Sequence, residues 1–310
     1  MVVACGLGSL GEVLALLEPG APEVDVNTRV GTGGDTALVA ASGNGHLRVV
    51  EVLLQQPGID VNRADSQGVR PLHIAAWKGY VEVVRALLRV PGVDVNLADR
   101  KVLTPLFLAT WAGQLEVVEA LLQVPGIDVN LADREDWTPL FCAFTHGRFE
   151  VADALLRVPG IDVNAGDCEG QTPLHAASSG GHARGVRALL QARGIEVNRA
   201  DSLGRTPLYC ACAKDHAEVA TMLVEAGADV NLRHFLLGES PLQALCASHG
   251  GVNTCILSVR AASTASAPRG GWTGAVAALL HAGALVLDWD TPQVTSMEDL
   301  FVAPRARIAL

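Results

Sequence analysis

Phenylalanine, tyrosine and tryptophan make up only 4% of this 310-residue chain, although 49% of it is hydrophobic. A core with so few rings has to be built from Leu, Val and Ala. Basic residues are also short: 23 Lys and Arg face 33 Asp and Glu, for a formal charge of −10. Nucleic-acid binders carry the opposite balance, so no nucleic-acid partner is expected. Self-repulsion of this size keeps a chain dispersed, and a monomer is expected. Uninterrupted apolar runs of 18 residues are missing, so no membrane span is expected. The opening "MVVACGLGSLGEVLALLEPG" has no basic leader and is broken by Glu12, which argues against a signal peptide. The seven cysteines form an odd set with no recurring spacing. Cys210 and Cys212 lie too close together for a two-residue zinc knuckle. All read as reduced, with Cys142, Cys210 and Cys212 serving as small apolar packing.

What the chain does have is a beat. "TPL" or a close variant begins at Thr36, Arg70, Thr104, Thr138, Thr172, Thr206 and Ser240, each 34 residues after the last. A "DVN" element keeps the same time through Asn62, Asn96, Asn130, Asn164 and Asn198. A fixed period of this length marks stacked supersecondary units instead of one globular core.

One unit shows the mechanics. Thr104 is placed to cap a helix, since its hydroxyl accepts an otherwise unpaired first-turn amide. Pro105 follows, where a missing N–H costs nothing. A short helix runs to Gly113, which supplies a left-handed stop. The second helix, "QLEVVEALLQV", puts Val117, Val118, Leu121 and Leu122 on one stripe, with Glu116 and Glu119 off it. Pro125 and Gly126 end it, and an aperiodic stretch leads to the next Thr. Small residues, Ala75 and Ala76 or Ala109 and Thr110, let neighbouring first helices come close. No unit buries its stripe alone, so stability is a sum over adjacent interfaces.

The stretches "GVRPLHIAAWKGYVEVVRALL" (68–88) and "GQTPLHAASSGGHARGVRALL" (170–190) resemble the ankyrin repeat family. The resemblance covers nearly the whole chain. It implies an all-α repeat, an α-solenoid of stacked helix-turn-helix units with projecting β-hairpin or turn loops. It also implies protein recognition by hairpin tips and first helices, without catalysis, and an intracellular setting, cytoplasmic or nuclear. Family units are usually one residue shorter, and the extra residue falls in the "PGIDVN" loop. The expected hairpin Gly is Val102 in one unit and Asp136 in the next; Val does not tolerate a left-handed backbone, so the tip around Val102 is expected to be altered or mobile. The family His after "TPL" is kept at His73 and His175, where it implies a polar linkage between units. Phe107 and Phe141 are expected to replace that linkage by packing.

Residues 1–30 read as a truncated first repeat and 31–234 as six full repeats. Residues 235–290 read as an eighth repeat interrupted by an insertion at about 250–273, and 291–310 as an irregular tail. "GSLGEVLALL" aligns with "GHLRVVEVLL", which places Met1 inside a first helix, leaves an apolar edge and suggests a fragment of a longer array.

No enzyme constellation emerges. "GTGG" (31–34) occupies a hairpin position, and "GLGSLG" (6–11) lacks a preceding strand. Most His recur at equivalent repeat positions, His146 being the exception. No cofactor or metal is expected. The informative positions are those where the units differ. Trp77 and Trp111 share one site in neighbouring units and are expected side by side on the inner surface, with Trp137 at the next hairpin tip. Lys78, Arg100, Lys101, Leu103, Arg134, Glu135, Thr145 and His146 complete the candidate partner-binding set. Trp and Arg are over-represented in binding hot spots; the competing reading is that the indoles merely cover an Ala-rich junction. The local basic charges suggest an acidic or amphipathic peptide partner. The expected role is a non-catalytic interaction scaffold. The alternative is the targeting segment of a larger enzyme, such as a kinase or ubiquitin ligase.

Overall fold

A computed structural model describes residues 1–18, 25–248 and 272–283. The chain divides into two compact units, Met1–Asp162 and Val163–Leu310. In the first unit, helices alternate in pairs: α1 (Val2–Leu7) with α2 (Leu10–Leu17), α3 (Ala37–Gly43) with α4 (Leu47–Leu54), α5 (Pro71–Lys78) with α6 (Val81–Leu88), α7 (Pro105–Ala112) with α8 (Leu115–Leu122), and α9 (Pro139–Thr145) with α10 (Phe149–Leu156). The second unit holds α11 (Pro173–Ser179), α12 (Ala183–Leu190), α13 (Pro207–Ala213), α14 (Ala217–Glu225), α15 (Pro241–Ser248) and α16 (Trp272–His281). Within each unit first helices pack on first helices, as in α5 on α7, and second on second, as in α6 on α8. This is an all-helical repeat solenoid. Among the described residues strand pairing is reduced to one isolated bridge, Val30 with Asp35, so the projecting loops are turns and not paired strands.

The capping chemistry explains the helix starts. Thr36, Thr104, Thr138 and Thr206 each accept the N–H three residues on at 3.2 Å. At Thr172 the exchange is with the His175 ring, whose Nδ1 lies 2.9 Å from the hydroxyl. Helix α5 begins on Arg70, which has no such cap. The Arg70 guanidinium instead donates to the carbonyls of Asn62, Gly68 and Ala98. Gly79 and Gly113 end their helices at φ 79° and 76°.

Leu53, Leu87, Leu121 and Leu155, one per second helix, are fully buried, as are Leu189 and Leu223 in the other unit. Each such side chain contributes about 1.5–3 kcal/mol through removal from water. Val117 and Val118 join Leu121 in the core, whereas Leu122 is only half-buried. Ala75, Ala76, Ala109 and Thr110 are buried at the junction of α5 and α7.

Two hydrogen-bond ladders lock successive units together. Asn62 donates through Nδ2 to the Gly92 carbonyl at 2.8 Å and accepts the Asp94 N–H at 3.0 Å. Asn96 and Asn130 do the same one and two repeats on. The side-chain amide of the "DVN" element therefore serves the following unit, not its own turn. The second ladder is the imidazole linkage. His73 and His175 reach the carbonyls of Leu103 and Arg205 through Nε2 at 3.1 and 2.9 Å. Phe107 and Phe141 are buried in its place, and Tyr209 reaches Glu239 through its hydroxyl at 3.3 Å.

The tip at Val102 departs from expectation. It is not rebuilt: Val102 takes the left-handed conformation at φ 68°, and Asp136 does so at 59°. The turn survives because Asp99 Oδ1 accepts the N–H groups of both Lys101 and Leu103. Those two bonds hold a β-branched residue in a region it disfavours.

On α1, Val3 and Leu7 are 69% and 72% exposed. The proposed insertion and tail lie outside the described residues, except where α16 begins. Cys142 and Cys210 are buried and unpaired with other cysteines, and burial pushes their thiols up to about 12 and about 11. Cys212, wholly buried, is raised further. All three behave as small apolar groups. Among the described residues no helix is long and apolar enough to cross a membrane, and no cluster suits a metal ion.

Candidate functional site

Consecutive tips at 99–103 and 133–137 and the first helices behind them enclose a cleft of about 390 Å³ in the first unit. Seven of the sequence-derived residues line it: Lys101, Leu103, Trp111, Arg134, Glu135, Trp137 and His146. Phe107, Asp133 and Cys142 line it too and were not foreseen. Phe107 had been assigned to packing, and it does both: it is only 5% exposed, yet its ring forms part of the floor.

Each side chain is positioned by the repeat. Asp133 Oδ1 accepts the N–H groups of Glu135 and Trp137 at 2.9 Å, which fixes the tip and sets the second indole at its base. The Trp137 ring rests on Phe141, with centroids 5.0 Å apart. His146 follows α9 and sits between two indoles, 6.3 Å from Trp111 and 6.1 Å from Trp137. Its Nδ1 lies 3.0 Å from the Cys142 carbonyl. A carbonyl only accepts, so Nδ1 carries a proton in this contact. His146 is exposed and lies against both indoles. Arg148 donates through Nε to the Trp111 carbonyl at 3.3 Å and braces the end of α7. No local sequence signal marks Arg148, because the bond spans 37 residues.

Arg134 folds back and donates to the Arg100 carbonyl, tying one tip to the next. The Lys101 ammonium and the indole N–H groups of Trp111 and Trp137 have no partner among the described residues. They are donors on a cleft whose lining mixes aromatic and apolar residues with the charged Asp133, Arg134 and Glu135.

The remaining candidates stand apart. Trp77 is 42% exposed and carries the Lys78 ammonium 4.6 Å above its ring, a cation–π pair outside the cleft lining. No ring contact joins Trp77 to Trp111 among the described residues. Thr145 turns back to bond the Phe141 carbonyl at 3.0 Å. A larger groove, about 760 Å³, runs along α6, α8 and α10. Arg85, Arg89, Glu116, Glu119 and Arg157 line it. Their charges alternate in sign and are solvated, Arg85 pairing with Glu82 at 2.7 Å, so few groups converge there.

The aromatic cleft can hold one large apolar side chain and offer up to three donors, the Lys101 ammonium and two indole N–H groups. That is equipment for recognition.

Comparison with known proteins agrees with this architecture. A family model described as ankyrin repeats (3 copies) matches residues 1–99, 90–167 and 160–234. Among solved structures, the chain is similar to the ankyrin repeat domain of Bcl-3, described as a unique member of the IkappaB protein family. The two are 29% identical, with a TM-score of 0.62 over 68% of this chain and 94% of that one.

Proposed function

The chain belongs to the ankyrin repeat family, and from that premise we propose that it is a non-catalytic scaffold that holds a partner protein or peptide in the cleft between the 99–103 and 133–137 tips. The observation that carries this reading is the convergence of Trp111, Trp137 and His146 with an unpaired Lys101 on one opening. Aromatic anchors beside a cationic rim are what binding hot spots are made of. The partner is an acidic amphipathic segment: one Leu- or Phe-sized side chain enters between Trp111 and Trp137, and a carboxylate reaches Lys101. Asp133 and Glu135 line the same cleft, and neither is paired with Lys101 among the described residues. Trp77 with Lys78 extends the same surface by one repeat.

The test is selection from a displayed library of acidic amphipathic peptides, followed by measured affinities. Trp111→Ala is expected to cost about 2 kcal/mol or more of binding. It also removes a ring that is more than half covered, so a second variant separates binding from packing. Lys101→Glu changes only an exposed tip residue; it is expected to weaken binding at least tenfold at low salt while leaving the melting temperature in place. Peptides that bind both variants as well as the parent chain would defeat the proposal and leave the indoles a packing role.

A further inference from the structure

Five of the turns that precede first helices are built on an aspartate. Asp65, Asp99, Asp133, Asp167 and Asp201 each accept, through Oδ1, the N–H groups two and four residues on, at 2.7–3.0 Å. The tip at 234–238 has no aspartate. His234 stands in its place, and its Nδ1 accepts the N–H groups of Leu236 at 3.1 Å and Leu237 at 3.2 Å. The loop is one residue longer than its counterpart at 201–204, and the backbone of His234 closes it, bonding Glu239 O at 3.0 Å and Gly238 N at 2.8 Å.

This substitute acceptor holds an unusual load. Phe235, Leu236 and Leu237 are 72%, 77% and 63% exposed, a run of apolar side chains that a folded surface does not normally present. The tip is nonetheless anchored. The Phe235 N–H donates to the Leu203 carbonyl at 2.8 Å, and its ring lies so close over Gly204 that a Cβ there would fall 2.5 Å from a ring carbon. His234 itself is buried, with its ring 5.4 Å from that of Tyr209.

The two acceptors differ in one property. A carboxylate accepts hydrogen bonds throughout the neutral and mildly acidic range. An imidazole accepts at Nδ1 only while that nitrogen is bare; a second proton turns it into a donor facing two donors. Charged and polar groups surround it. Tyr209 on α13 directs its hydroxyl to Glu239, Arg233 donates to the Gly238 carbonyl at 3.2 Å, and in the adjoining turn Asp201 is paired with Arg205 at 2.6 Å.

We propose that the 234–238 tip is a proton-sensitive latch: it fixes Phe235, Leu236 and Leu237 in one arrangement while His234 Nδ1 is bare and releases them when that nitrogen is protonated. This proposal does not depend on the reading of the aromatic cleft.

The experiment is amide hydrogen exchange and chemical-shift titration on the full chain, from about pH 7.5 to about pH 5. The amides of Leu236 and Leu237 are expected to shift together with the His234 ring and to lose protection roughly tenfold or more, after correction for intrinsic rates. Those of Leu203 and Arg205, held by Asp201, are expected to stay protected in the same sample and serve as the control against general unfolding. His234→Asp and His234→Asn supply acceptors that do not titrate in this range; in either variant the 236 and 237 amides are expected to keep one behaviour at every pH. The latch is overturned if Leu236 and Leu237 follow Leu203 and Arg205 in the parent chain, or if a folded variant titrates as the parent does.

Discussion

The unit containing His73 and the unit after it are built to the same plan and solve the same problem differently. Both begin with a Pro at the first helical position, both end the first helix on a left-handed Gly, and both hang their tips on an Asp. His73 ties its unit to the next by reaching the Leu103 carbonyl. Phe107, one repeat on, makes no such bond; its ring is buried at the base of the cleft that Trp111 and Trp137 frame. Where the polar link is kept, the space between neighbouring units is closed by a hydrogen bond. At Phe107, where an aromatic ring replaces it, the ring forms part of the lining of an open cleft. The repeat can make that exchange because the Asn ladder fastens the units at a separate point.

The largest test of this contrast is acid. Burial, assisted by the nearby Arg70 guanidinium, pushes His73 down to about 4, from an ordinary value of 6.5. Between these values the unfolded chain binds a proton that the native chain does not. The contribution is therefore complete above about pH 6.5 and lost as pH falls toward about 4, a loss on the order of 3 kcal/mol. Urea midpoints across this window are expected to fall, and His73→Phe, which copies the neighbour's solution, is expected to flatten the slope. Part of it remains, because burial lowers His175 in the same direction. A parent chain with no slope would mean the two units do not differ in the way described.

Cutting the ladder should cost somewhat less. Asn62→Ala removes a donor to Gly92 and an acceptor for Asp94, and two such bonds contribute about 1–3 kcal/mol together. The expected result is a lower urea midpoint at an unchanged slope. The smallest effect belongs to the tip. Val102→Gly relieves a β-branched residue at φ 68° and is expected to stabilise the chain by about 1 kcal/mol, part of the relief being offset by the greater freedom of Gly in the unfolded state. A destabilised variant would show that the valine side chain does something at the tip beyond enduring its conformation.

Much of the frame was legible in the sequence, because the features that define it are local. A Thr-Pro pair fixes a helix start, a Gly fixes a stop, and a Leu every 34 residues fixes the core. The site was legible only in part. Seven of its lining residues follow from asking where the units differ. Phe107 and Asp133 were overlooked because each also serves the frame, one by packing and one by holding a turn. The placement of His146 between two indoles depends on the C-terminal end of α9, which the repeat pattern leaves unspecified. Val102 shows the converse error: side-chain preference argued for an altered or mobile tip, yet Val102 takes the left-handed conformation of the glycines it replaces, with two hydrogen bonds to Asp99 holding the turn. His234 gave no signal either, since only the folded turn brings its ring nitrogen into the aspartate's role.

The central claim is that the fastening of the units and their recognition surface are separable, and two substitutions measured side by side test it most directly. Asn62→Ala and Lys101→Glu would each be followed by urea unfolding and by affinity for a peptide selected on the parent chain. The account predicts a crossed result: Asn62→Ala loses stability and keeps its affinity, while Lys101→Glu keeps its stability and loses affinity at least tenfold. Both properties falling together in both variants would contradict it.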